Sequence, residues 1–178
     1  MQVFKFGGTS VGSVARIKEV AELIKSGDKK IVILSAMSGT TNALVEIAEY
    51  LYKKNNEGAN EKINHLETKY NSVLDELFSS ERYLTFGKEL IKNHFEHLRS
   101  FTRDMFTQYE EKEVLAQGEL ISTALLHYYL LEKGLKSELL SALNFMRIDK
   151  AGEPDEFYIK ENLKRELSNL KDVHLIIT

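Results

Sequence analysis

The sequence predicts an α/β fold with a mainly parallel sheet. Residues 2–6 form a short β-prone run that ends at Gly7-Gly8. Residues 30–36 form a nearly continuous apolar run, which is typical of a strand buried on both faces of a parallel sheet. A helical pattern follows each run. Strand, glycine-rich turn, helix, strand, polar turn and helix in succession is the order of an α/β protein with a parallel sheet.

The two helices of this unit are predicted from apolar residues that recur at helical spacing. Ser10 or Ser13 can cap the start of the first helix, and Gly27 suits its end. Its apolar positions are Val14, Ile17, Val20, Ala21 and Ile24. A polar turn at residues 38–42 precedes the second helix, whose apolar positions are Leu44, Ile47, Ala48 and Leu51.

The rest of the chain changes character twice. Residues 60–134 predict two or three long helices and no strand, with one apolar stripe formed by Ile63, Leu66, Tyr70, Val73 and Leu77. The α/β pattern resumes with a strand near residues 137–141, a polar loop at 149–155 and a further helix. Residues 173–178 predict a buried strand at the chain end, and such strands normally lead into a loop that carries the ligand site. The chain is therefore expected to be a truncated part of a larger domain.

Composition and charge exclude several functions. The 178 residues carry a net charge of −3 and no cysteine, which excludes disulfides, zinc thiolate sites and thiol nucleophiles. The sequence pI of about 6.0 is far below the value of about 9 that marks nucleic-acid-binding domains. No apolar run approaches the roughly 20 residues that span a bilayer, and no secretory signal is visible. A cytoplasmic location with neither nucleic-acid nor membrane partners is expected.

The N-terminal run Lys5-Phe6-Gly7-Gly8-Thr9-Ser10-Val11 is the strongest functional signal. Two glycines allow the backbone to approach a phosphate chain, and the following helix N-terminus adds positive partial charge. Lys5 can reach the transferring oxygens, and Thr9 and Ser10 supply hydroxyl donors. The lysine precedes the glycines, so the run is neither a Walker motif nor the dinucleotide GxGxxG pattern. The alternative is that the glycine pair only makes a tight turn.

Taken together, four segments resemble the aspartate kinases of the amino acid kinase superfamily. KFGGTSV at residues 5–11 is similar to the family signature. Residues 35–42 are similar to its SA-x-x-G-x-TN loop, and residues 117–122 to its helical GE-x-x-S segment. Residues 144–156 stand where the family has a variable polar loop. The resemblance spans the whole chain in order, and it implies a three-layer αβα sandwich with a mainly parallel sheet and a helical insertion.

The resemblance implies a role for each matching residue. Lys5 would contact the ATP phosphates and stabilise the transferring group, with the backbone of Phe6, Gly7 and Gly8 lining the phosphates. Thr41 and Glu119 would bind the amino acid substrate, Glu119 at its α-ammonium. Supporting roles fall to Ser35, Gly39 and Asn42. No metal site formed by protein side chains is predicted, and magnesium would arrive with the nucleotide.

Glu119 also has a simpler interpretation as a solvated residue on an exposed helix face. Gly118 beside it counts against this, because a glycine inside a helix costs up to about 1 kcal/mol relative to alanine. Close approach of a ligand or of another backbone would explain that cost.

The implied activity is transfer of the ATP γ-phosphoryl group to the β-carboxylate of L-aspartate, the first step of lysine, threonine and methionine biosynthesis. Family members continue beyond the position of Thr178 with a Gly-Arg-Gly-Gly-Ser-Asp motif, an adenine-binding segment and ACT domains. Residues 1–178 are therefore expected to be an inactive N-terminal part of the catalytic domain. A homo-oligomer is expected. The alternatives are another amino acid kinase, acting for example on glutamate or N-acetylglutamate, and a non-catalytic nucleotide-binding or scaffold module.

Overall fold

The protein is described by a computed structural model that covers residues 1–25, 27–103 and 105–178. These described residues form four strands and six α-helices, with four consecutive helices in the middle of the chain. In chain order they are β1 (Gln2–Phe6), α1 (Val14–Ile24), β2 (Lys30–Leu34), α2 (Thr40–Tyr52), α3 (Asn56–Leu77), α4 (Glu81–Ser100), α5 (Gln108–Glu132), β3 (Glu138–Leu139), α6 (Glu156–Asn169) and β4 (Leu175–Ile177). A short 3-10 helix, Ala142–Asn144, follows β3.

The sheet has the order β1-β2-β4-β3, and all of its strand pairs are parallel. In the register, Val32 stands opposite Phe4 on β1 and opposite Ile177 on β4. Because all strands run the same way, their carboxyl ends meet at one edge of the sheet. Loops that leave this edge are where ligands bind in open α/β sheets.

Helices cover both faces of the sheet, and because the side chains of a strand alternate between the faces, successive residues of one strand enter different clusters. Val32 and Leu34 of β2 and Ile177 of β4 pack in one apolar cluster with residues of α1, α2 and α5. Ile31 and Ile176, which point to the opposite face, pack in a second cluster with α6 and the 3-10 helix. The prediction of an αβα sandwich with a parallel sheet is confirmed.

In the middle section, α3 packs between α2 and α4, and α4 packs against α5, which also contacts β2, β3 and β4 of the sheet. Ile63, Leu66, Tyr70 and Leu77 of the predicted stripe are buried, and Val73 packs against their cluster. The Tyr70 ring lies 6.0 Å from the Phe95 ring of α4, measured between centroids. Burial of such large side chains stabilises each contact by about 1.5–3 kcal/mol, so α3 has a fixed position beside α2.

Element boundaries differ from the predictions at two places that matter for the site. The second strand ends at Leu34 rather than at Ala36, and α2 begins at Thr40 rather than near Leu44. Residues 40–42, predicted as part of a turn, therefore belong to the first turn of a helix. Of the two serines that could cap α1, Ser13 does so, accepting a hydrogen bond from the Arg16 amide at 3.4 Å.

The side chain of Glu132, the last residue of α5, binds the two residues that precede α4. Its Oε1 accepts hydrogen bonds from the backbone amides of Ser79 and Ser80 at 2.8 and 2.7 Å, and Lys133 Nζ lies 3.0 Å from Oε2. Burial by itself would raise the pKa of Glu132, but the two amides and the Lys133 ammonium outweigh it and lower the pKa below its ordinary value.

Replacing Glu132 with glutamine is expected to destabilise the protein by about 1–3 kcal/mol at pH 7, because the two hydrogen bonds to a charged acceptor become weaker bonds to a neutral one. A lowered folded-state pKa contributes stability above the unfolded value of about 4.3, and this is lost as the pH falls through the folded value. Urea unfolding should therefore show the largest gap between wild type and Glu132→Gln at pH 7 and a shrinking gap below pH ~4. A gap that is constant from pH 7 to pH 3 would contradict this account.

Candidate active site

The loop between β1 and α1 (residues 7–13, the first loop) opens the carboxyl edge of the sheet. Lys5 lies one residue before the end of β1, and its side chain is exposed. No atom would lie within 4 Å of a Cβ built on Gly7, so the chain is open to solvent there. A Cβ on Gly8 would stand 3.1 Å from the Ala36 carbonyl oxygen, so Gly8 packs closely on the neighbouring loop.

The first loop makes a tight turn in which some backbone amides have no hydrogen-bond acceptor in the described part of the chain. The amides of Ser10 and Val11 both donate to the Gly7 carbonyl, at 2.8 and 3.3 Å. Within the described residues, the amides of Gly8 and Thr9 donate no hydrogen bond. Free amides in a tight turn beside an exposed lysine form a concavity suited to an anion such as a phosphate group.

The loop between β2 and α2 (residues 35–39, the second loop) lies beside the first. The Ser35 amide donates to the Phe6 carbonyl at 3.0 Å, so the two loops leave the sheet together. Gly39 has φ +78°, a left-handed conformation that only glycine adopts at little cost, and it stands at the N-cap of α2 without a side-chain cap. Thr41 and Asn42 follow with exposed side chains on the first helical turn.

Glu119 of α5 also reaches the second loop. Its Oε1 accepts a hydrogen bond from the Ala36 amide at 3.3 Å. One turn further along α5, Ser122 Oγ donates to the Ser35 carbonyl at 2.9 Å. Glu119 is half-buried. The exposed-face interpretation of Glu119 does not describe this arrangement, in which the carboxylate faces a loop.

Gly118 explains how α5 can lie so close to the second loop. A Cβ on Gly118 would lie 2.7 Å from Ala36 Cβ and 3.2 Å from Thr40 Cγ2. Such a distance leaves no room for a methyl group. The glycine therefore allows the close approach between helix and loop that brings Glu119 to the site.

Adding the methyl group in Gly118→Ala is expected to destabilise the protein, because overpacking costs about 1–3 kcal/mol and exceeds the gain in helix propensity of up to ~1 kcal/mol. Thermal unfolding measures the loss. The double variant Gly118→Ala/Ala36→Gly removes the opposing Cβ and should regain most of it. A Gly118→Ala variant as stable as the wild type would refute the close contact.

Thr40 and Tyr70, which the sequence did not single out as site residues, form a buried contact at the end of the second loop. Thr40 Oγ1 and the Tyr70 hydroxyl share a buried hydrogen bond of 2.9 Å. Burial raises the pKa of Tyr70 to about 12, the Thr40 hydrogen bond opposes this, and the Glu119 charge adds to it. Tyr70 therefore stays neutral at physiological pH. A hydroxyl inside the apolar stripe of α3 was the available signal, since a buried tyrosine usually finds a hydrogen-bond partner.

The predicted site residues thus fall into three segments that meet at one edge of the sheet. The first holds Lys5, Phe6, Gly7, Gly8, Thr9 and Ser10; the second holds Ser35, Gly39, Thr41 and Asn42; the third is Glu119. Gly8 contacts Ala36, and the amide of Ala36 binds Glu119, so the second loop is the link between the other two. Contact of any of these residues with a ligand stays a prediction.

The described residues contain no group of three or more histidine, aspartate or glutamate side chains that could hold a metal ion. Nor does any helix in the described ranges have the length and apolar character needed to cross a membrane. A turn suited to an anion lies beside the exposed Lys5 and next to a loop that the Glu119 carboxylate contacts. Such groups can position and neutralise a phosphoryl group during its transfer.

Comparison with known proteins agrees with this class. The family model described as the amino acid kinase family matches residues 1–177. The chain belongs to the amino acid kinase family.

Within this family, the chain is similar to several aspartate kinases. The chain is 55% identical over 53 residues to an aspartate kinase of Pseudomonas putida, over 28% of this chain. It is 31% identical over 153 residues to the chloroplastic aspartokinase 2 of Arabidopsis thaliana, over 79% of this chain. The fold is similar to E. coli aspartokinase III, solved in complex with lysine and aspartate, with a TM-score of 0.81 and 26% identity over 99% of this chain.

The chain spans only part of each of these proteins. The matched region is 13% of the P. putida protein and 26% of the A. thaliana protein, and the structural match covers 40% of the E. coli chain.

Proposed function

We propose that this chain forms the phosphate-binding and amino-acid-binding part of an aspartate kinase. In the reaction, a β-carboxylate oxygen of L-aspartate forms a bond to the γ-phosphorus of ATP. The bond from that phosphorus to the bridging oxygen breaks, and ADP leaves with the electron pair. The observation that carries the proposal is the convergence of Lys5, the two loops and Glu119 on one edge of the sheet.

Lys5 and the first loop serve the nucleotide in this proposal. Phosphoryl transfer depends on positioning and on neutralising the charge of the transferring group. The exposed Lys5 ammonium supplies a positive charge, and the uncommitted amides of Gly8 and Thr9 supply donors. Gly7 leaves its face of the loop open for the phosphates. The backbone of Phe6 and the Ser10 hydroxyl complete the group.

The second loop and Glu119 serve the amino acid. The Ala36 amide occupies Oε1 of Glu119, and no described residue donates to Oε2, which leaves one carboxylate oxygen for the substrate ammonium. Thr41 offers its hydroxyl and Asn42 its amide at the start of α2, where the helix dipole favours an anion. Ser35 and Gly39 shape the loop that carries them.

The proposed reaction needs neither a general base nor a dedicated metal site from the chain. An aspartate side chain has a pKa near 3.9, so its carboxylate is already ionised at pH 7 and needs no general base. Magnesium would arrive with ATP and would help to neutralise the charge of its phosphates, as this ion usually needs few protein ligands. The similarity to aspartokinases supports L-aspartate and ATP as the substrates. A cytoplasmic homo-oligomer that acts at the start of lysine, threonine and methionine biosynthesis completes the proposal.

The test is ATP-dependent formation of an acyl phosphate by the full-length gene product, trapped with hydroxylamine. Aspartate, glutamate and N-acetylglutamate are offered in parallel. Turnover with aspartate alone is the expected result. Turnover with another acid would keep the phosphate loop and overturn the substrate. No turnover with any acid would leave a non-catalytic nucleotide-binding or scaffold module. Residues 1–178 alone are expected to show none.

A further inference from the structure

Helix α3 presents two consecutive residues to the second loop. Tyr70 binds Thr40 through the buried hydroxyl pair described above. Lys69, one residue earlier, extends to the loop itself, and its Nζ donates to the Ser38 carbonyl oxygen at 2.7 Å. The same Nζ would stand 3.7 Å from a Cβ built on Gly39. An ammonium group therefore lies against the turn that starts α2.

Lys69 differs from the other lysine of α3 that reaches toward α2. Lys62 Nζ forms an ordinary salt bridge of 2.6 Å with Glu46, between two side chains that are each about half exposed. Among the described residues, Lys69 has no carboxylate within salt-bridge distance, and its side chain is half-buried. Burial accordingly lowers the pKa of Lys69. A partly desolvated ammonium without a counter-ion is not a stabilising arrangement in itself.

The contact between Lys69 and Ser38 holds a turn whose backbone includes a left-handed residue. Gly39 is left-handed, with φ +78°, and no side chain caps α2 at this position. The Thr40 amide donates to the Met37 carbonyl at 3.0 Å, which closes the turn around Ser38. Holding the Ser38 carbonyl from outside sets the direction of the first turn of α2, on which Thr41 and Asn42 stand.

We propose that Lys69 is a positioning residue for the carboxylate substrate: it holds the Ser38–Gly39 turn so that the first turn of α2 presents Thr41, and it adds positive charge beside the helix N-terminus that receives the anion. This inference rests on the proposed function. It assigns to α3 a part in substrate affinity, in addition to its packing role.

The test compares Lys69→Met, Lys69→Arg and the matched control Lys62→Met in the full-length gene product. Lys69→Met should raise KM for aspartate about tenfold, which corresponds to about 1.4 kcal/mol, and should change KM for ATP less than twofold. The melting temperature of Lys69→Met should stay the same or rise, because a partly desolvated ammonium with no counter-ion among the described residues is removed. Lys69→Arg should recover part of the affinity for aspartate, and Lys62→Met should resemble the wild type.

An unchanged KM for aspartate in Lys69→Met would overturn the proposal. So would equal losses of affinity for both substrates together with a lower melting temperature, since that pattern describes general destabilisation. Hydrogen–deuterium exchange of the Gly39–Asn42 amides gives a second readout that needs no turnover. Exchange should be faster in Lys69→Met than in Lys62→Met, and equal exchange would overturn the hold on the turn.

The two readouts also separate this inference from the function on which it rests. A wild-type protein that binds and phosphorylates no aspartate would refute the proposed function and the substrate role of Lys69 with it. In that case the exchange experiment would still decide whether Lys69 holds the turn. Normal wild-type turnover with an unaffected Lys69→Met variant would refute only the inference about Lys69.

Discussion

Replacing Lys5 with alanine is expected to lower kcat about 10²–10³-fold, the loss typical of removing one preorganised group that stabilises transition-state charge. In the proposed reaction, negative charge spreads over the oxygens of the transferring phosphoryl group. Lys5 is the cation that the end of β1 places beside the first loop, and its side chain is exposed to solvent. Steady-state kinetics with aspartate and ATP measure the change.

The fold should tolerate the Lys5→Ala change. Lys5 pairs in register with Ile33 through the backbone, and the substitution leaves that pairing in place. Its melting temperature should therefore stay within a degree or two of the wild type. Lys53→Ala, at an exposed lysine that follows the carboxyl end of α2, is the matched control for loss of one positive charge. A Lys5→Ala variant that keeps more than a third of the wild-type kcat would exclude Lys5 from the chemistry.

Much of the fold could be predicted because local sequence and burial agree in the sheet. Val32 and Ile176 are fully buried in strands that helices cover on both faces, and continuous apolar runs mark such strands. In α1, the residues at helical spacing are the ones that face the core. The two-residue strand β3 is less clearly marked in the sequence, because its two side chains are exposed and it lies at the sheet edge, paired with β4.

The contacts that build the site lay beyond prediction from the sequence because they join residues far apart in the chain. Nothing local to Lys69 indicates that its ammonium meets Ser38, 31 residues earlier. The buried hydrogen bond between Thr40, at the start of α2, and Tyr70 likewise joins residues that are 30 positions apart. Gly118 was the exception. A glycine inside a helix indicated a close approach, and Ala36 is the group that approaches.

Glu119→Gln is expected to raise KM for aspartate about tenfold, because a charge-assisted hydrogen bond of about 1.5–3 kcal/mol becomes a neutral one of about 0.5–1.5 kcal/mol. Glutamine keeps a carbonyl oxygen that can accept from the Ala36 amide, so the loop contact is preserved. What the variant loses is the negative charge that faces the substrate ammonium in the proposed complex. KM for ATP should change little, because the nucleotide phosphates bind at the first loop.

Glu119→Ala separates the two parts that Glu119 plays. Alanine removes both the charge and the acceptor for Ala36, so it should raise KM for aspartate at least as much and also lower the melting temperature. Glu113→Gln is the matched control on the same helix, since Glu113 lies 3.6 Å from His97 in a half-exposed pair with no contact to the second loop. If Glu119→Gln left KM for aspartate unchanged while Glu119→Ala lost stability, the carboxylate would serve only to hold the loop. Amino acid binding would then rest on Thr41 and its neighbours at the start of α2.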